Sequence, residues 1–303
     1  MCCHPNLEKW YFMTNTISII LIYTFILGSL YLLESLGFSL ICGVLRVFHL
    51  GYGIAFVVTV YVTWMFMQER GFGLGWAILA MCAFQCLFTL LIVYYPIVRR
   101  YLEKEEILLT ALLLVAMIGE EVANYFYPVT AGVDLPTGLL PGITKIGKAS
   151  VPNQMLVAAG IALLTTAAFI LFFLKTRVGL LMRAVSQDVK SAKLMGTNTE
   201  RIYALAMVLS VIPPTICMLT IAPIYSIEPT LGWSLLQTAI LVSILGGLGN
   251  LKGSIIAAYI LGFVAALVSF AINPRLANVA PLVMVFMVLI FRPQGIGRSE
   301  SLW

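Results

Sequence analysis

A few ionisable side chains interrupt the long apolar stretches of this sequence, and the chemistry that they offer is charge pairing and hydrogen bonding to a polar solute. Glu34 lies inside the first apolar run, and Arg46 and His49 flank the break between this run and the next. An ionisable residue at membrane depth is costly and is therefore a functional candidate. We predict that these residues line a solute path. The alternatives are a structural partner for Glu34 and a packing role for His49.

Catalytic and metal chemistry find little support in the same sequence. It contains only 2 histidines, His4 and His49, and it has neither an HExxH motif nor paired acids that face a histidine. It also lacks a GxxxxGK[S/T] phosphate-binding loop, so any ATP must be hydrolysed by another chain. We therefore predict no catalytic residue, no metal site and no cofactor, and a membrane-embedded enzyme is a poor alternative.

The elements that position these residues are predicted to be membrane-spanning helices. The chain has 303 residues, of which 61% are hydrophobic and 10% charged, and its mean hydropathy is +1.02. Apolar runs of about twenty residues cross about 30 Å of hydrocarbon and satisfy their backbone groups within helices. We predict an all-α polytopic integral membrane protein with about eight to nine transmembrane helices. The candidate spans lie near 16–37, 47–68, 74–98, 106–126, 152–174, 203–225, 233–249, 254–272 and 279–291.

Lysine and arginine residues set the predicted orientation. They collect in residues 99–104, in residues 175–201 and after residue 291, and cytoplasmic loops of membrane proteins have an excess of such residues. With nine spans, the segment 175–201 is cytoplasmic, the loop 127–151 is external and Met1 lies outside. The net charge of +5 is spread over short loops and does not indicate binding to nucleic acid.

The cysteines do not predict a disulfide framework. Cys42, Cys82, Cys86 and Cys217 fall inside apolar runs, where they are most simply packing residues. Cys2 and Cys3 open the chain and leave two alternatives, a free tail or an acylated one. The first apolar run has no small-residue cleavage site, so we do not expect it to be a signal peptide.

The cytoplasmic segment has a pattern that topology alone does not require. Ala184, Asp188 and Ala192 recur at intervals of four, which places them along one face of a short helix that begins near Gly179. Small side chains in helical register allow another surface to approach closely. The pattern therefore indicates a docking contact, and the alternative is a loop whose basic residues only fix the topology.

Gly196 and the residues after it are predicted to separate this short helix from the next span. A glycine can end a helix in the left-handed backbone conformation. Thr197 is followed three residues later by Glu200, and this spacing is typical of a capping box that starts a helix. We therefore predict a helix, a stop at Gly196 and a new helix.

Four segments, taken in chain order, resemble the motifs of one family. They are residues 43–53 (GVLRVFHLGYG), residues 176–179 with the polar segment that follows, residues 245–250 (LGGLGN) with Gly253, and residues 292–295 (RPQG). The polar segment resembles the coupling loop of the permease subunits of branched-chain amino-acid ABC importers, the LivH/LivM group, which also includes urea and short-amide permeases. The resemblance extends, with gaps, from about residue 28 to residue 295.

The resemblance implies a single transmembrane permease domain over residues 1–303, in the inner (plasma) membrane. It implies ATPase subunits, a second permease subunit that is LivM-like or a copy of this chain, and an extracytoplasmic solute-binding protein as partners, with the lipid bilayer around them. The length of the chain and its short N-terminal region favour the LivH-like type. The ATPase-coupling residues that the resemblance implies are Arg183, Ala184, Asp188, Ala192 and Gly196.

The first motif departs from the family pattern, because His49, Gly51 and Tyr52 stand where the family has Asn, Ala and His. The glycines of residues 246–249 are expected to serve either a constriction of the path or close helix packing. The complete set of path candidates is Glu34, Arg46, His49, Tyr52, Gly246, Gly247 and Gly249. Branched-chain amino acids are the solute that the family implies first, and urea, short amides and an ion-coupled secondary transporter are the alternatives.

Overall fold

The computed structural model describes residues 5–126, 135, 138–140, 142–146 and 149–297, with the backbone alone for residues 5–15 and 149. Cys2, Cys3 and most of the predicted external loop lie outside these residues. The helices are α1 (Pro5–Val44), α2 (Gly53–Gln68), α3 (Leu74–Phe88), α4 (Arg99–Tyr101), α5 (Glu105–Phe126), α6 (Asn153–Lys175), α7 (Arg177–Gln187), α8 (Val189–Leu194), α9 (Thr199–Ser210), α10 (Ile212–Ile221), α11 (Leu231–Gly246), α12 (Leu251–Ala271) and α13 (Val279–Phe291).

Six helical segments of the described chain are long and apolar enough to cross a membrane. They are Thr16–Val44, Leu50–Gln68, Leu74–Tyr101, Asn153–Lys175, Thr199–Ile221 and Leu251–Ala271. Two shorter apolar helices are α11 and α13, and α5 has 22 residues. Each of the predicted spans overlaps one of these segments, so the prediction of an all-α polytopic membrane protein is confirmed.

The first helix extends beyond its predicted end at residue 37. Gly37 does not stop α1, because its bare backbone packs directly against the backbone of Ser210 and leaves no room for a side chain. The residues that follow, including Phe38 and Ile41, are buried apolar side chains that stabilise the added turns. The helix ends at Val44, and Arg46 then has a positive φ of 59°.

The third span is continuous but not uniformly α-helical. A π-helical segment, Thr89–Val98, joins α3 to α4 and contains Pro96. Proline has no backbone N–H and its ring crowds the preceding turn, so a wider turn accommodates it without ending the helix.

Helix α1 is the centre of the bundle and contacts α6, α7, α9, α10, α11 and α12. It packs antiparallel to α12, because Gly28 meets Gly262 near one end and Ser39 meets Ser254 near the other. The Ser39 hydroxyl lies 2.9 Å from that of Ser254 and 2.8 Å from that of Ser243 on α11. Small residues and hydroxyl pairs are the usual means of holding helices together inside a membrane.

A β-hairpin lies within the predicted external loop and was not predicted. Strand β1 (Ile143–Ile146) pairs antiparallel with β2 (Ala149–Pro152), with Thr144 opposite Val151. The β-branched residues of both strands fit a pleated pair.

Candidate functional site

A cavity of about 450 Å³ lies between α1, α11, α12 and the start of α13. Its lining includes apolar side chains and hydroxyl, amide and carboxyl groups. The polar lining residues are Tyr31, Glu34, Ser234, Gln237, Thr238 and Asn278. The apolar lining residues are Leu231, Leu235, Leu241, Leu261, Val279, Pro281 and Leu282.

Glu34 is the ionisable residue of this cavity. Its side chain is only 3% exposed although it lines the cavity. Its Oε2 atom has no hydrogen-bond partner among the described residues, and its Oε1 atom lies 3.9 Å from the Cys217 thiol, a weak donor. No lysine, arginine or histidine in the described part of the chain forms an ion pair with it.

The hydroxyl of Tyr52 fixes the depth of Glu34 in the bundle. It donates to the backbone carbonyl oxygen of Glu34 at 3.1 Å and lies 3.5 Å from that of Ser210. Ser210 is at the middle of the span Thr199–Ile221. The backbone of Glu34 therefore lies level with the middle of that span, and a charged group is most costly at the middle of a membrane span.

The polar side of the cavity comes largely from one face of α11. Ser234, Gln237 and Thr238 are spaced by three and four residues, and all three line the cavity. Ser234 and Thr238 were not among the predicted path residues. The signal was present, because three polar residues at helical spacing interrupt an otherwise apolar run.

The structure places the other path candidates of the first motif away from this cavity. The His49 side chain is 6% exposed and lies with Gln85 and Thr89 at a separate small cavity. Tyr52 is 1% exposed and packs edge-on against the rings of Phe38 and Phe56. Arg46 is exposed and faces the end of α7. Of the four predicted residues in this region, the cavity therefore includes Glu34 alone.

The predicted glycines lie where α11 meets α12 and the C-terminal segment. A Cβ atom on Gly246 would lie 2.5 Å from the backbone nitrogen of Ser254, and one on Gly247 would collide with the carbonyl oxygen of Gly297. Gly247 and Gly249 have positive φ values of 90° and 78°. These contacts favour the close-packing alternative for Gly246 and Gly247, and a role of the three glycines in the path stays a prediction.

The coupling segment contains two short helices instead of the single helix that was predicted. α7 begins after Thr176, whose hydroxyl accepts from the backbone N–H of Gly179 at 3.1 Å, and it ends at Gln187. The backbone of Asp188 is extended, with φ of −148° and ψ of 108°, and its carboxylate caps α8. Aspartate favours helix caps over helix interiors, which explains the break.

Asp188 is held at this cap by hydrogen bonds within α8. Its Oδ1 atom accepts from the backbone N–H of Lys190 at 2.9 Å, and its Oδ2 atom accepts from the Ser191 hydroxyl. The Ser191 hydrogen bond holds the pKa of the Asp188 carboxyl below its usual range. The group is therefore a carboxylate at any pH near neutrality.

The end of α8 matches one prediction and corrects another. Gly196 has a φ of 82°, so the predicted left-handed stop is confirmed. The next helix is capped by Asn198, whose side chain accepts from the backbone N–H of Arg201 at 3.2 Å, and the predicted capping box at Thr197 is wrong. Asparagine is as good an N-cap residue as threonine or better, so the spacing in the sequence did not distinguish Asn198 from Thr197.

The surface of the coupling segment is partly apolar. Leu194 is 89% exposed and Met195 is 82% exposed, immediately before Gly196. Ala184 is also exposed, Arg183 is half-buried, and Ala192 is buried against the bundle. The described segment therefore presents two adjacent, highly exposed apolar side chains immediately before its glycine stop.

Two further polar groups hold helices together. Glu120 on α5 accepts a hydrogen bond from the indole N–H of Trp233 on α11. The Gln154 amide donates to the carbonyl oxygen of Thr220 at 2.9 Å, and its oxygen accepts from the backbone N–H of Leu139 at 2.9 Å. Both contacts hold neighbouring segments of the chain together.

Comparison with known proteins identifies similar chains. The model of the family described as branched-chain amino acid transport system / permease component matches residues 20–291. The high-affinity branched-chain amino acid transport system permease protein LivH of Escherichia coli (strain K12) is 27% identical over 289 residues, which cover 90% of this chain and 93% of LivH. LivH of Salmonella typhimurium is 26% identical over 288 residues, with coverage of 90% and 93%.

A further relative matches a shorter stretch. The permease protein BraD of the high-affinity branched-chain amino acid transport system of Pseudomonas aeruginosa is 29% identical over 174 residues, which cover 55% of this chain and 56% of BraD. Among solved structures, PsaBC from Streptococcus pneumoniae in complex with Fab is similar with a TM-score of 0.49 and 15% identity, with coverage of 94% of this chain and 93% of that chain. This structural similarity is too low to support an argument.

Proposed function

Because the chain belongs to the family of permease components of branched-chain amino acid transport systems, we propose that it forms the path for branched-chain amino acids in an ATP-binding-cassette importer of the inner membrane. The observation that carries this proposal is the match of the family model to residues 20–291, together with relatives at 26–27% identity that are named as such permeases. The cavity beside Glu34 is a suitable path for a small polar solute.

We propose that the chain itself catalyses no reaction. Groups of three or more histidine, cysteine or acidic side chains that are able to hold a metal are absent from the described residues. ATP hydrolysis then belongs to separate ATPase subunits, and the surface that contacts them is the segment from α7 to Gly196. The exposed Leu194 and Met195 side chains and the capped start of α8 support this assignment.

The other proposed partners follow from the orientation of the chain. With the coupling segment in the cytoplasm, the ends of α11 and α13 near Leu231 and Asn278 face outward. The cavity then opens towards an extracytoplasmic solute-binding protein and ends near Glu34. A second permease subunit, LivM-like or a copy of this chain, completes the path, and the whole chain is one transmembrane permease domain.

Uptake in cells tests the proposal. A strain that lacks its own branched-chain amino acid transporters is supplied with this chain and its partner subunits, and uptake of radiolabelled leucine, urea and acetamide is compared. We expect leucine uptake that disappears when this chain alone is omitted. Urea or acetamide uptake without leucine uptake would favour the amide-permease alternative and overturn the proposal.

A further inference from the structure

The geometry points to Glu34 as the residue that binds the protonated amino group of the transported solute, in the cavity between α1 and α11. This inference rests on the proposed function and specifies the solute class of the same path. The ligand is a zwitterionic α-amino acid with an apolar side chain. Its ammonium group is the partner that the buried carboxyl group lacks.

The hydrogen-bonding capacity of the Glu34 carboxyl group is largely unmet. A carboxylate removed from water is strongly destabilised unless cations or several donors surround it. Glu34 is 97% buried, and its Oε2 atom has no partner among the described residues. The thiol of Cys217 at 3.9 Å from Oε1 is the weak donor that it does have. A structural role predicts a satisfied carboxyl group, and this one is not satisfied.

Glu34 can be reached from the cavity. Glu34 is a lining residue of the 450 Å³ cavity, so a solute in the cavity can lie next to its side chain. Cavities of about 300–1,000 Å³ are typical of small-molecule sites. The volume is therefore sufficient for an amino acid with its bound water.

The remaining residues of the cavity wall match the other two parts of an amino acid. The hydroxyl and amide groups of Ser234, Gln237 and Thr238 lie on one face of α11 and supply donors for a carboxylate. Leu235, Leu241 and Leu261, among other apolar residues, supply a surface for a branched side chain. An amino acid has three such parts, an ammonium group, a carboxylate and an apolar group. Each part has a counterpart in the same cavity.

A neutral solute would use the site differently. Urea and short amides have N–H donors but no charge, so a protonated or an amide side chain at position 34 would serve them as well as a carboxylate. The ammonium of an amino acid, by contrast, gains a charge-assisted hydrogen bond that a glutamine cannot replace. The charge of the residue at position 34 is therefore the property to test.

The first experiment measures leucine uptake by proteoliposomes that contain the complete transport complex, with the solute-binding protein in excess. Glu34→Gln removes the charge and keeps the shape, Glu34→Asp keeps the charge, and Glu105→Gln is a control at an exposed acid on α5. We expect uptake per assembled complex to fall at least about tenfold in Glu34→Gln, as loss of a charge-assisted contact predicts. Glu34→Asp retains most uptake, and Glu105→Gln is unchanged.

A second measurement remains decisive if Glu34→Gln assembles poorly. Ser234→Cys is placed in a chain whose Cys2, Cys3, Cys82 and Cys86 are replaced, and the buried Cys42 and Cys217 are kept. Trimethylammonium and sulfonate methanethiosulfonate reagents are compared at this position and at the exposed control Thr144→Cys. We expect the cationic reagent to be favoured at least about fivefold more at position 234 than at position 144, and leucine to slow that labelling.

The outcomes separate this inference from the proposed function. Absence of leucine uptake in the wild-type complex would overturn the proposed function. Normal leucine uptake in wild type and equal uptake in an assembled Glu34→Gln complex would overturn the role of Glu34 alone. Equal preference for the two reagents at positions 234 and 144 would also overturn it, because it would show that no negative charge faces the cavity.

Discussion

The guanidinium of Arg46 donates a hydrogen bond to the backbone carbonyl oxygen of Ser186, with 2.8 Å between the atoms, and a longer one of 3.3 Å to that of Gln187. Ser186 and Gln187 are the last residues of α7, where carbonyl groups lack a partner within the helix. Arg46 follows α1, the helix that includes Glu34. The contact therefore joins the coupling segment to the helix that forms one wall of the cavity.

Removal of the Arg46 contact is predicted to uncouple ATP hydrolysis from transport. Arg46→Gly removes the guanidinium and suits the positive φ of 59°, so the chain should assemble normally. A hydrogen bond to a charged, partly exposed group contributes about 1 kcal/mol, so we expect leucine uptake per ATP hydrolysed to fall roughly fivefold. Arg46→Lys, which keeps one charged donor, should be intermediate. An unchanged ratio in Arg46→Gly would show that the contact has no part in coupling.

The left-handed stop at Gly196 gives a prediction that depends on backbone conformation alone. A Cβ atom on Gly196 would meet nothing within 4 Å, so Gly196→Ala creates no clash and only forces a side chain into a φ of 82°. This conformation costs about 1–2 kcal/mol for most residues and less for asparagine. We expect Gly196→Ala to reduce ATPase stimulation by the solute-binding protein more than Gly196→Asn does. Equal stimulation in both variants would argue against a required stop.

Gly37 gives a prediction about the bundle itself. A Cβ atom there would collide with the carbonyl oxygen of Ser210 and the hydroxyl of Tyr52, whereas one on Gly160 of α6 would meet nothing within 4 Å. Forced overpacking costs typically about 1–3 kcal/mol. We expect Gly37→Ala to lower the thermal unfolding temperature in detergent, and the matched Gly160→Ala to leave it unchanged or raise it. Equal unfolding temperatures would mean that α1 and α9 are not in close contact at Gly37 and Ser210.

The orientation is tested by labelling from the two sides of the membrane. Single cysteines are placed at Ser191 on α8, which is partly exposed in the predicted cytoplasmic segment, and at Thr144 on β1, which is exposed in the predicted external segment. An impermeant thiol reagent should label Thr144→Cys in intact cells and Ser191→Cys only after the membrane is opened. Labelling of both in intact cells would require a different topology.

The sequence predicted those features that depend on local patterns. Glu34 was found because a single acid interrupts a long apolar run, and the stop at Gly196 was found because a glycine follows a helical pattern. The left-handed backbone at Gly196 and the buried position of Glu34 agree with this logic. Both features are determined by residues close to them in the chain.

The remaining features depend on long-range packing or on competition between near-equal local choices. Ser234 and Asn278, which line the cavity together with Glu34, lie far along the chain from it, and no spacing rule connects them. The spacing of Asp188 is compatible with a position on a helix face and also with a helix cap. Its hydrogen bonds to residues of α8 stabilise the cap position. The inward position of Tyr52 follows from its contacts with backbone groups of α1 and α9, which a hydropathy pattern does not reveal.

ATP-driven accumulation of leucine tests the central claim most directly. The complete complex is reconstituted in proteoliposomes with the solute-binding protein, and leucine uptake is measured with ATP, without ATP, and with an ion gradient in place of ATP. The account predicts leucine accumulation against its gradient with ATP only, and its loss when the ATPase subunits lack a functional nucleotide site. Leucine accumulation driven by the ion gradient without ATP would contradict the account, because it would make the chain a secondary transporter.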